Sequence, residues 1–233
     1  SHANFLSQLN VPAYKIASPE IIHLPLIRKA ASTGKPLIIS TGMASVTEIE
    51  EAVSAAREAG CSQLILLKCT SSYPASASAS NLSTIPHMRN MFDCEVGLSD
   101  HSLGNDVAGF SIIKGATLIE KHFILKRSIK SPDSTFSMLP NDLKNLRILS
   151  DKAWATNKKS DFKTKKSEKN NLIFRRSLFF NRDLKKGTKI ALKHIARRRP
   201  GYGMPPKMEK KIVGKILKRN VQFADLVKKS YLN

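Results

Sequence analysis

The sequence has few of the features that mark secreted or membrane proteins. Its three cysteines are an odd number without Cys-x-x-Cys spacing, and Cys61, Cys69 and Cys94 all lie in or beside apolar runs. We therefore interpret them as reduced, buried thiols of a cytoplasmic protein. No apolar run approaches the roughly 20 residues of a membrane span, and the start has no basic segment followed by an apolar stretch. These absences predict a protein without a membrane segment or a signal peptide.

Acidic residues are scarce in the last third of the chain. Residues 1–150 carry 14 Lys and Arg against 12 Asp and Glu, whereas residues 151–233 carry 25 against 6. So basic a segment suits binding to nucleic acid or another anionic surface, and it suits equally a lysine-rich solvated face. The basic residues are not interleaved with aromatic ones, which disfavours nucleic acid as a partner.

Residues 1–155 repeat a short apolar run, a small polar turn and a helical segment. The clearest helix is Thr47–Ala59, with a capping box at Ser45-x-x-Glu48 or Thr47-x-x-Glu50. The spacing of the runs suits βα units in a parallel sheet. Because no Gly-x-Gly-x-x-Gly turn is present, the pattern favours a (β/α) barrel over a dinucleotide-binding fold, although a complete barrel has eight strands. The predicted strands are Ala13–Ala17, Pro36–Ser40, Leu64–Cys69, Glu95–Ser99 and Thr117–His122.

The second part of the chain has a different organisation. Residues 156–171 are charged and nearly free of apolar side chains, which predicts a linker. Residues 172–233 contain short β-like pieces separated by turns that contain glycine and proline. We therefore expect three parts: a βα domain over 1–155, a charged linker over 156–171, and a small turn-rich domain over 172–233.

Polar residues stand at the ends of all five predicted strands, where a parallel barrel collects its reacting groups. Lys15 would supply a cation and Ser18, Ser40, Thr41 and Ser71 would supply hydroxyl groups, a combination that suits a phosphate or carboxylate ligand. Cys69 or Thr70 could be a nucleophile, but no base for either is apparent, and a buried thiol is the simpler interpretation of Cys69.

Two of the six histidines lie at these strand ends. Because strand side chains alternate, Ser99 shares a face with His101, and Glu120 shares one with His122. If the fourth and fifth strands are neighbours, the two imidazoles can converge on one divalent cation and leave positions open for water or substrate. The alternative is a pair of packed or surface histidines. Asp100 points to the opposite face, so Ser99, Asp100 and His101 do not form a catalytic triad.

Several ordered motifs resemble the sialic acid synthase family. They are KIAS followed by Glu, GKPLIISTGMA, LLKCTSSYPA, GLSDHSLG, IEKHF and PDSTFS, and then RRSLFFNRDLKKG and RRPGYGMPP. The resemblance covers nearly the whole chain. It implies a TIM-barrel synthase, a (β/α)8 fold, followed by a small SAF (antifreeze-like, β-clip) domain. Its reaction would join phosphoenolpyruvate to an N-acyl amino sugar and release phosphate.

The resemblance also implies roles for individual residues. His101 and His122 would hold Mn²⁺ or Mg²⁺, and His101, Glu120 and Lys15 would be the catalytic residues, with Glu120 transferring a proton. In a homodimer of swapped domains, the SAF domain would cap the partner's barrel. The expected contacts with phosphoenolpyruvate are Lys15, Ser18, Ser40, Ser71 and Ser99. The expected contacts with the sugar are Glu20, Tyr73, Asp133 and Arg199.

Within the family, KCTSSYPA and PDSTFS resemble the pseudaminic acid branch, because the neuraminic acid branch has a histidine where Ser134 stands. N-acetylneuraminate or legionaminate synthesis is the alternative. The family barrel has three earlier strands, so the five strands here would be its strands four to eight. We expect a protein of this length alone to be inactive and poorly soluble. Two other classes stay open, a truncated, inactive relic and a basic nucleic-acid-binding protein.

Overall fold

The computed structural model describes residue 6, residues 8–157 and residues 159–233. The chain divides into two compact units, one up to residue 159 and one from residue 160 to residue 233. Across these ranges, no helix combines the length and the apolar character that crossing a membrane requires.

The first unit is built on five parallel strands, which pair in chain order because each helical connection returns the chain to the next position in the sheet. The strands are β1 (Tyr14–Ile16), β2 (Leu37–Ser40), β3 (Leu64–Cys69), β4 (Glu95–Asp100) and β5 (Ile119–Lys121). The helices are α1 (Leu24–Ala31), α2 (Val46–Glu58), α3 (Thr84–Phe92), α4 (Asp106–Ile113) and α5 (Pro140–Thr156). Two 3-10 helices are Ser18–Glu20 and Ala77–Ala79.

All five strands predicted from the sequence are present, each within two residues of the predicted bounds. The sheet curls into a half-barrel with helices packed on its outer side. Ile27 of α1, Ile49 of α2 and Ile85 of α3 are buried in the same core as Leu37 and Leu66 of the sheet. Because successive side chains of a strand point to opposite faces of the sheet, every second residue faces this core, which favours an apolar residue there.

The first turn of α2 shows which of the two capping boxes predicted from the sequence forms. Ser45 Oγ accepts a hydrogen bond from the Glu48 amide at 3.2 Å, and Glu48 Oε2 accepts one from the Ser45 amide at 2.7 Å. The Ser45–Glu48 box is therefore the one that forms, and Thr47 lies inside the helix.

An apolar groove lies along the β5 side of the half-barrel. It has a volume of about 460 Å³, and its lining includes Ile112, Ile119, Leu146 and Trp154. The Trp154 side chain on α5 is 63% exposed. In the described part of the chain, β1 and β5 each pair with only one neighbouring strand. Neither edge strand has a further strand beside it in these ranges, although the backbone just after β5 pairs with Met138, and apolar surface beside β5 is uncovered.

The second unit is organised around an antiparallel pair, β6 (Ser177–Phe180) and β7 (Ile195–Arg198). Leu178, Phe180 and Ile190 form its buried core together with side chains from the turns that follow. The short helix α6 spans Glu209–Ile212. An exposed 3-10 helix, Lys166–Phe174, occupies part of the stretch predicted as a linker. The other 3-10 helices are Leu192–His194, Pro206–Met208 and Lys229–Tyr231.

Candidate active site

The carboxyl ends of the five strands bring most of the predicted residues of the first unit onto the concave side of the half-barrel. Lys15 of β1 lies 3.6 Å (Nζ to Oε1) from Glu120 of β5. Ser99 of β4 donates a hydrogen bond of 2.8 Å to the same Glu120 oxygen. A cation, a hydroxyl group and a carboxylate from three different strands therefore meet at one place.

A second cluster of hydroxyl groups surrounds Gly42, two residues after β2. Its amide donates a hydrogen bond of 3.0 Å to Ser18 Oγ. A Cβ atom at this glycine would lie 2.2 Å from Ser71 Oγ and 2.9 Å from Ser18 Oγ. Only glycine lets these side chains approach the backbone so closely. Ser40 Oγ is buried and has no hydrogen-bond partner within the described residues, so it can accept or donate a bond to a ligand.

Thr41 does not belong to this cluster in the way the sequence predicted. Its hydroxyl donates a hydrogen bond of 3.0 Å to the Leu67 carbonyl, so it ties β2 to β3. Its position at a strand end did not reveal this, because the acceptor comes from the neighbouring strand.

Cys69 lies between the hydroxyl cluster and the histidines. Its sulfur is 4.0 Å from Ser71 Oγ and 3.9 Å from His101 Nδ1. Burial raises the pKa of the Cys69 thiol, but hydrogen bonds with His101 and Ser18 outweigh it and bring the pKa from 9.0 to about 7. The thiol is buried, as predicted, yet its surroundings favour the thiolate.

The two histidines are brought together by the pairing of β4 with β5. Ser99 lies opposite Glu120, and the next residues on the same faces are His101 and His122, whose ring centroids are 5.3 Å apart. His101 Nδ1 lies 2.9 Å from the Thr70 carbonyl oxygen. Burial lowers the pKa of His101, but its hydrogen bonds with Cys69 and the Thr70 carbonyl outweigh burial and leave the pKa raised.

The second imidazole is held in a similar way. His122 Nδ1 lies 3.2 Å from Asp133 Oδ2, in the loop after β5. In both rings Nδ1 is engaged by an oxygen atom, which leaves Nε2 as the nitrogen for a further ligand. Oriented imidazoles of this kind are typical of metal-binding histidines.

The donor set fits a divalent cation held by two imidazoles with its other positions open to water or substrate. A cavity of about 170 Å³ is lined by Ser99, His101, Glu120, Lys121 and His122. Throughout the described ranges, no three His, Cys, Asp or Glu side chains are grouped to hold a metal ion. In the described part of the chain, His101 and His122 therefore stand without a third such side chain grouped with them.

Aromatic rings cover the histidines from the side of the loops. The Tyr73 ring centroid lies 4.2 Å from that of His101 and 5.9 Å from that of His122. Phe136 lies 5.0 Å from His122 and 5.6 Å from Tyr73. The sequence predicted a role for Tyr73 but none for Phe136, whose only signal was its place in the PDSTFS motif.

Two further predicted residues, Glu20 and Arg199, are exposed. Glu20 ends the 3-10 helix Ser18–Glu20 and is exposed, and none of the side-chain hydrogen bonds or ion pairs of the described residues links it to the other predicted residues. Arg199 follows β7 in the second unit, where it is also exposed.

The fold and the site define a class of protein, a parallel βα half-barrel with a lysine, serine hydroxyl groups and two histidines at the carboxyl ends of its strands. The model of the NeuB family matches residues 1–161, and the model of the SAF domain matches residues 175–232. The chain belongs to the NeuB family, as its motifs predicted.

Named relatives agree with this assignment. The chain is 38% identical to a pseudaminic acid synthase from Helicobacter pylori, over 97% of this chain and 68% of the relative. It is also 38% identical to an N,N'-diacetyllegionaminic acid synthase from Legionella pneumophila, over 94% of this chain and 63% of the relative. The crystal structure of N-acetylneuraminic acid synthetase from Leptospira borgpetersenii superimposes with a TM-score of 0.68 at 33% identity, covering 74% of this chain and 60% of that one. The chain thus spans about two thirds of the length of its relatives.

Proposed function

We propose that this chain forms the catalytic part of a nonulosonic acid synthase, which condenses phosphoenolpyruvate with an N-acyl amino sugar. The observation that carries the proposal is the pair His101 and His122 beside a cluster of serine hydroxyl groups. Several relatives are synthases by name, and Lys15, Ser99, Glu120 and the two histidines, which suit this chemistry, lie near one another here.

The reaction balances as follows. C3 of phosphoenolpyruvate forms a carbon–carbon bond with the aldehyde carbon of the open-chain sugar, and the aldehyde oxygen takes up a proton. Water adds to C2, the bond between C2 and the phosphate oxygen breaks, and C2 becomes a ketone. The products are the nonulosonic acid and inorganic phosphate.

The residues divide into an anion-binding group and a carbonyl-activating group. Lys15, Ser40 and Ser71 are suited to hold the phosphate and carboxylate of phosphoenolpyruvate, with Ser18 and Ser99 beside them. A bound Mn²⁺ or Mg²⁺ would be held by His101 and His122 and would supply Lewis acidity at the sugar aldehyde. Glu120 would exchange the proton at the aldehyde oxygen, since its carboxylate borders the same cavity.

We assign recognition of the sugar to the loops above this site. Tyr73 and Asp133 contact the two histidines and would face the sugar from the same side. Glu20 would reach it from the loop after β1. Arg199 would come from the SAF domain of a second subunit in a homodimer. Its exposure and its guanidinium fork suit a hydrogen bond to a sugar hydroxyl or acyl oxygen.

We further propose that the five strands are strands four to eight of a (β/α)8 barrel. In the described ranges β1 and β5 have no further strand beside them, which together with the uncovered groove beside Trp154 supports this, because a closed barrel has no unpaired edge. The 233 residues alone would then lack part of the site wall and would not turn over.

The proposed sugar is 6-deoxy-di-N-acetylaltrose, the pseudaminic acid precursor. Ser134 and the KCTSSYPA motif favour it. Ser134 Oγ donates a hydrogen bond of 2.9 Å to the Ser131 carbonyl, so it serves in shaping the loop that carries Asp133. The identity is 38% both to the Helicobacter pylori pseudaminic acid synthase and to the Legionella pneumophila legionaminic acid synthase, so the sugar must be decided by assay.

The test measures phosphate release from phosphoenolpyruvate with Mn²⁺ and either 6-deoxy-di-N-acetylaltrose or N-acetylmannosamine. It compares the 233-residue chain with a fusion that adds the unmatched third of the Helicobacter pylori relative. We expect release only from the fusion, and faster release with the altrose derivative. Removal of the metal with EDTA should abolish it.

Matched variants of the fusion separate the assigned roles. Glu120→Gln and His101→Gln should each lower phosphate release by at least about 100-fold without unfolding the protein. Arg199→Ala and His101→Gln proteins, each inactive alone, should regain activity when mixed if Arg199 acts in the partner's site. A folded fusion that releases no phosphate with either sugar would refute the proposed function.

A further inference from the structure

A buried ion pair lies directly behind the two histidines. Asp100 and Lys121 are opposite each other in the register of β4 and β5, one residue before His101 and His122. The distance from Lys121 Nζ to Asp100 Oδ2 is 2.7 Å, and the two side chains are only 4% and 3% exposed. This pair lies on the face of the sheet opposite to the histidines, because strand side chains alternate.

The pair is fully hydrogen-bonded. Besides Asp100, the Lys121 ammonium donates to the Ser102 carbonyl at 2.8 Å and to the Gly104 carbonyl at 2.9 Å. Asp100 Oδ1 accepts a hydrogen bond of 2.8 Å from the Ser102 amide. The three donors of the ammonium are thus used, and they tie the end of β5 to the end of β4 and to the loop that follows it.

An apolar pair of the same size would fill this place as well, and it would often be at least as stable. What an apolar pair would lack is direction. The three hydrogen bonds from Lys121 to the end of β4 and its loop favour one register and one separation of the strand ends, whereas methyl and methylene groups can slide. The separation of the strand ends in turn fixes the positions of the residues that follow each strand, His101 and His122.

We propose that Asp100 and Lys121 are positioning residues that set the separation and orientation of the two imidazoles. This inference rests on the proposed function for its purpose, but its geometry can be tested without it. Although Lys121 is among the residues that line the histidine cavity, its side chain is buried against Asp100, so the pair would act through the backbone of β4 and β5.

The test compares four forms of the 233-residue chain. They are the unchanged protein, Lys121→Met, the double variant Asp100→Leu with Lys121→Met, and Glu95→Gln, which breaks the more exposed Arg89–Glu95 pair at the other end of β4. Each is measured by thermal unfolding, by Mn²⁺ titration, and by NMR of ¹⁵N-labelled histidine in the metal-free protein. A His101→Gln sample identifies the signal of His101.

We expect the double variant to unfold near the temperature of the unchanged protein but to bind Mn²⁺ at least tenfold more weakly. The proton on His101 Nδ1, held against the Thr70 carbonyl, should give a slowly exchanging signal that shifts or disappears in both Lys121 variants and stays unchanged in Glu95→Gln. If Lys121→Met does not fold, the double variant decides.

A stable double variant with an unchanged imidazole signal would overturn the proposal. If the unchanged chain binds no Mn²⁺, the metal assignment fails, and the imidazole signal alone still decides whether the pair positions the histidines. The two failures are therefore distinguishable.

Discussion

Lys15 and Glu120 lie on strands at opposite ends of the five-stranded sheet, yet their charged groups are 3.6 Å apart. In a flat sheet the first and fifth strands would be separated by about 19 Å, given a spacing of about 4.8 Å between neighbours. The curl of the half-barrel is therefore strong enough for two long side chains to meet across its concave side. The contact brings the ends of the first and fifth strands into the same site.

This pair should contribute little to folding. Its side chains are 30% and 40% exposed, and such partly solvated pairs contribute at most about 1 kcal/mol. We expect Glu120→Gln and Lys15→Met to change the free energy of unfolding by less than that, as measured by urea denaturation. A loss of several kcal/mol would mean that the contact holds the half-barrel closed.

The capping box of α2 gives a stability prediction with a matched control. Ser45→Ala removes the side chain that accepts the Glu48 amide, and we expect a loss of about 1 kcal/mol in the free energy of unfolding. Thr47→Ala, inside the same helix turn, should change it by less than about 0.5 kcal/mol. Equal effects of the two substitutions would contradict the structural assignment.

Gly42→Ala tests the crowding of the hydroxyl cluster. The added methyl group would overlap Ser71 Oγ and Ser18 Oγ, so we expect a destabilisation of about 1–3 kcal/mol and weaker binding of phosphoenolpyruvate by calorimetry. Adding Ser71→Ala should recover part of the stability but not the binding. An alanine variant with normal stability and normal binding would show that the cluster is loose.

The environment of Cys69 predicts an unusual pH dependence of its reactivity. With a pKa of about 7, half of the thiol is ionised at pH 7, compared with about 1% for a thiol of pKa 9. Because the pKa is lowered, the thiolate is present above pH 7 and is lost as the pH falls below it. In metal-free protein, alkylation of Cys69 by iodoacetamide should therefore rise with a midpoint near pH 7.

Cys94 provides the internal comparison, since burial raises the pKa of its thiol. Its alkylation, followed in the same samples by peptide mass spectrometry, should rise only at a more alkaline pH. His101→Gln should move the Cys69 midpoint upward, because the hydrogen bond that favours the thiolate is lost. A midpoint for Cys69 that coincides with that of Cys94 would show that His101 does not act on the thiol.

In the second unit, a buried apolar side chain should contribute more to the free energy of unfolding than a surface ion pair. Phe180 is fully buried, so Phe180→Ala should cost about 3–5 kcal/mol and speed hydrogen exchange along β6. Arg197 pairs with Glu209 through two short hydrogen bonds of 2.7 and 2.6 Å, but its side chain is exposed. Arg197→Ala should leave hydrogen exchange along β6 nearly unchanged. If Arg197→Ala speeds exchange as much as Phe180→Ala does, the surface ion pair is as important as the buried ring.

The strands were predictable because each one is a short apolar run bounded by turn residues, and local pattern is enough to place such runs. The polar strand ends were predictable for the same reason, since the fold class fixes where they point. Local pattern could not show the contacts between strands. These are the thiolate-favouring partners of Cys69, the hydrogen bond from the Thr41 hydroxyl to the Leu67 carbonyl of β3, and the pairing of Asp100 with Lys121. These contacts depend on the strand register and on the curl of the sheet, and neither can be derived from local sequence pattern.

The second unit shows the same division. Its two strands lie close to two of the β-like pieces that the sequence predicts, Leu178–Phe180 and Ile195–Arg197. The third predicted piece, Lys189–Ile190, makes only an isolated bridge. Composition alone predicts a linker for the charged stretch before it, but composition does not predict the 3-10 helix Lys166–Phe174. Short helices of this kind are held by individual backbone hydrogen bonds and leave little trace in a hydropathy pattern.

Trp154 is the only tryptophan in the sequence, and it stands on the wall of the open groove beside β5. Its indole is therefore a built-in optical reporter for that one surface. Emission from an indole in water is red-shifted, and it moves to the blue when the ring is covered. Binding of a polypeptide over this groove could therefore be followed by tryptophan fluorescence without any label, at concentrations far below those that structural methods need.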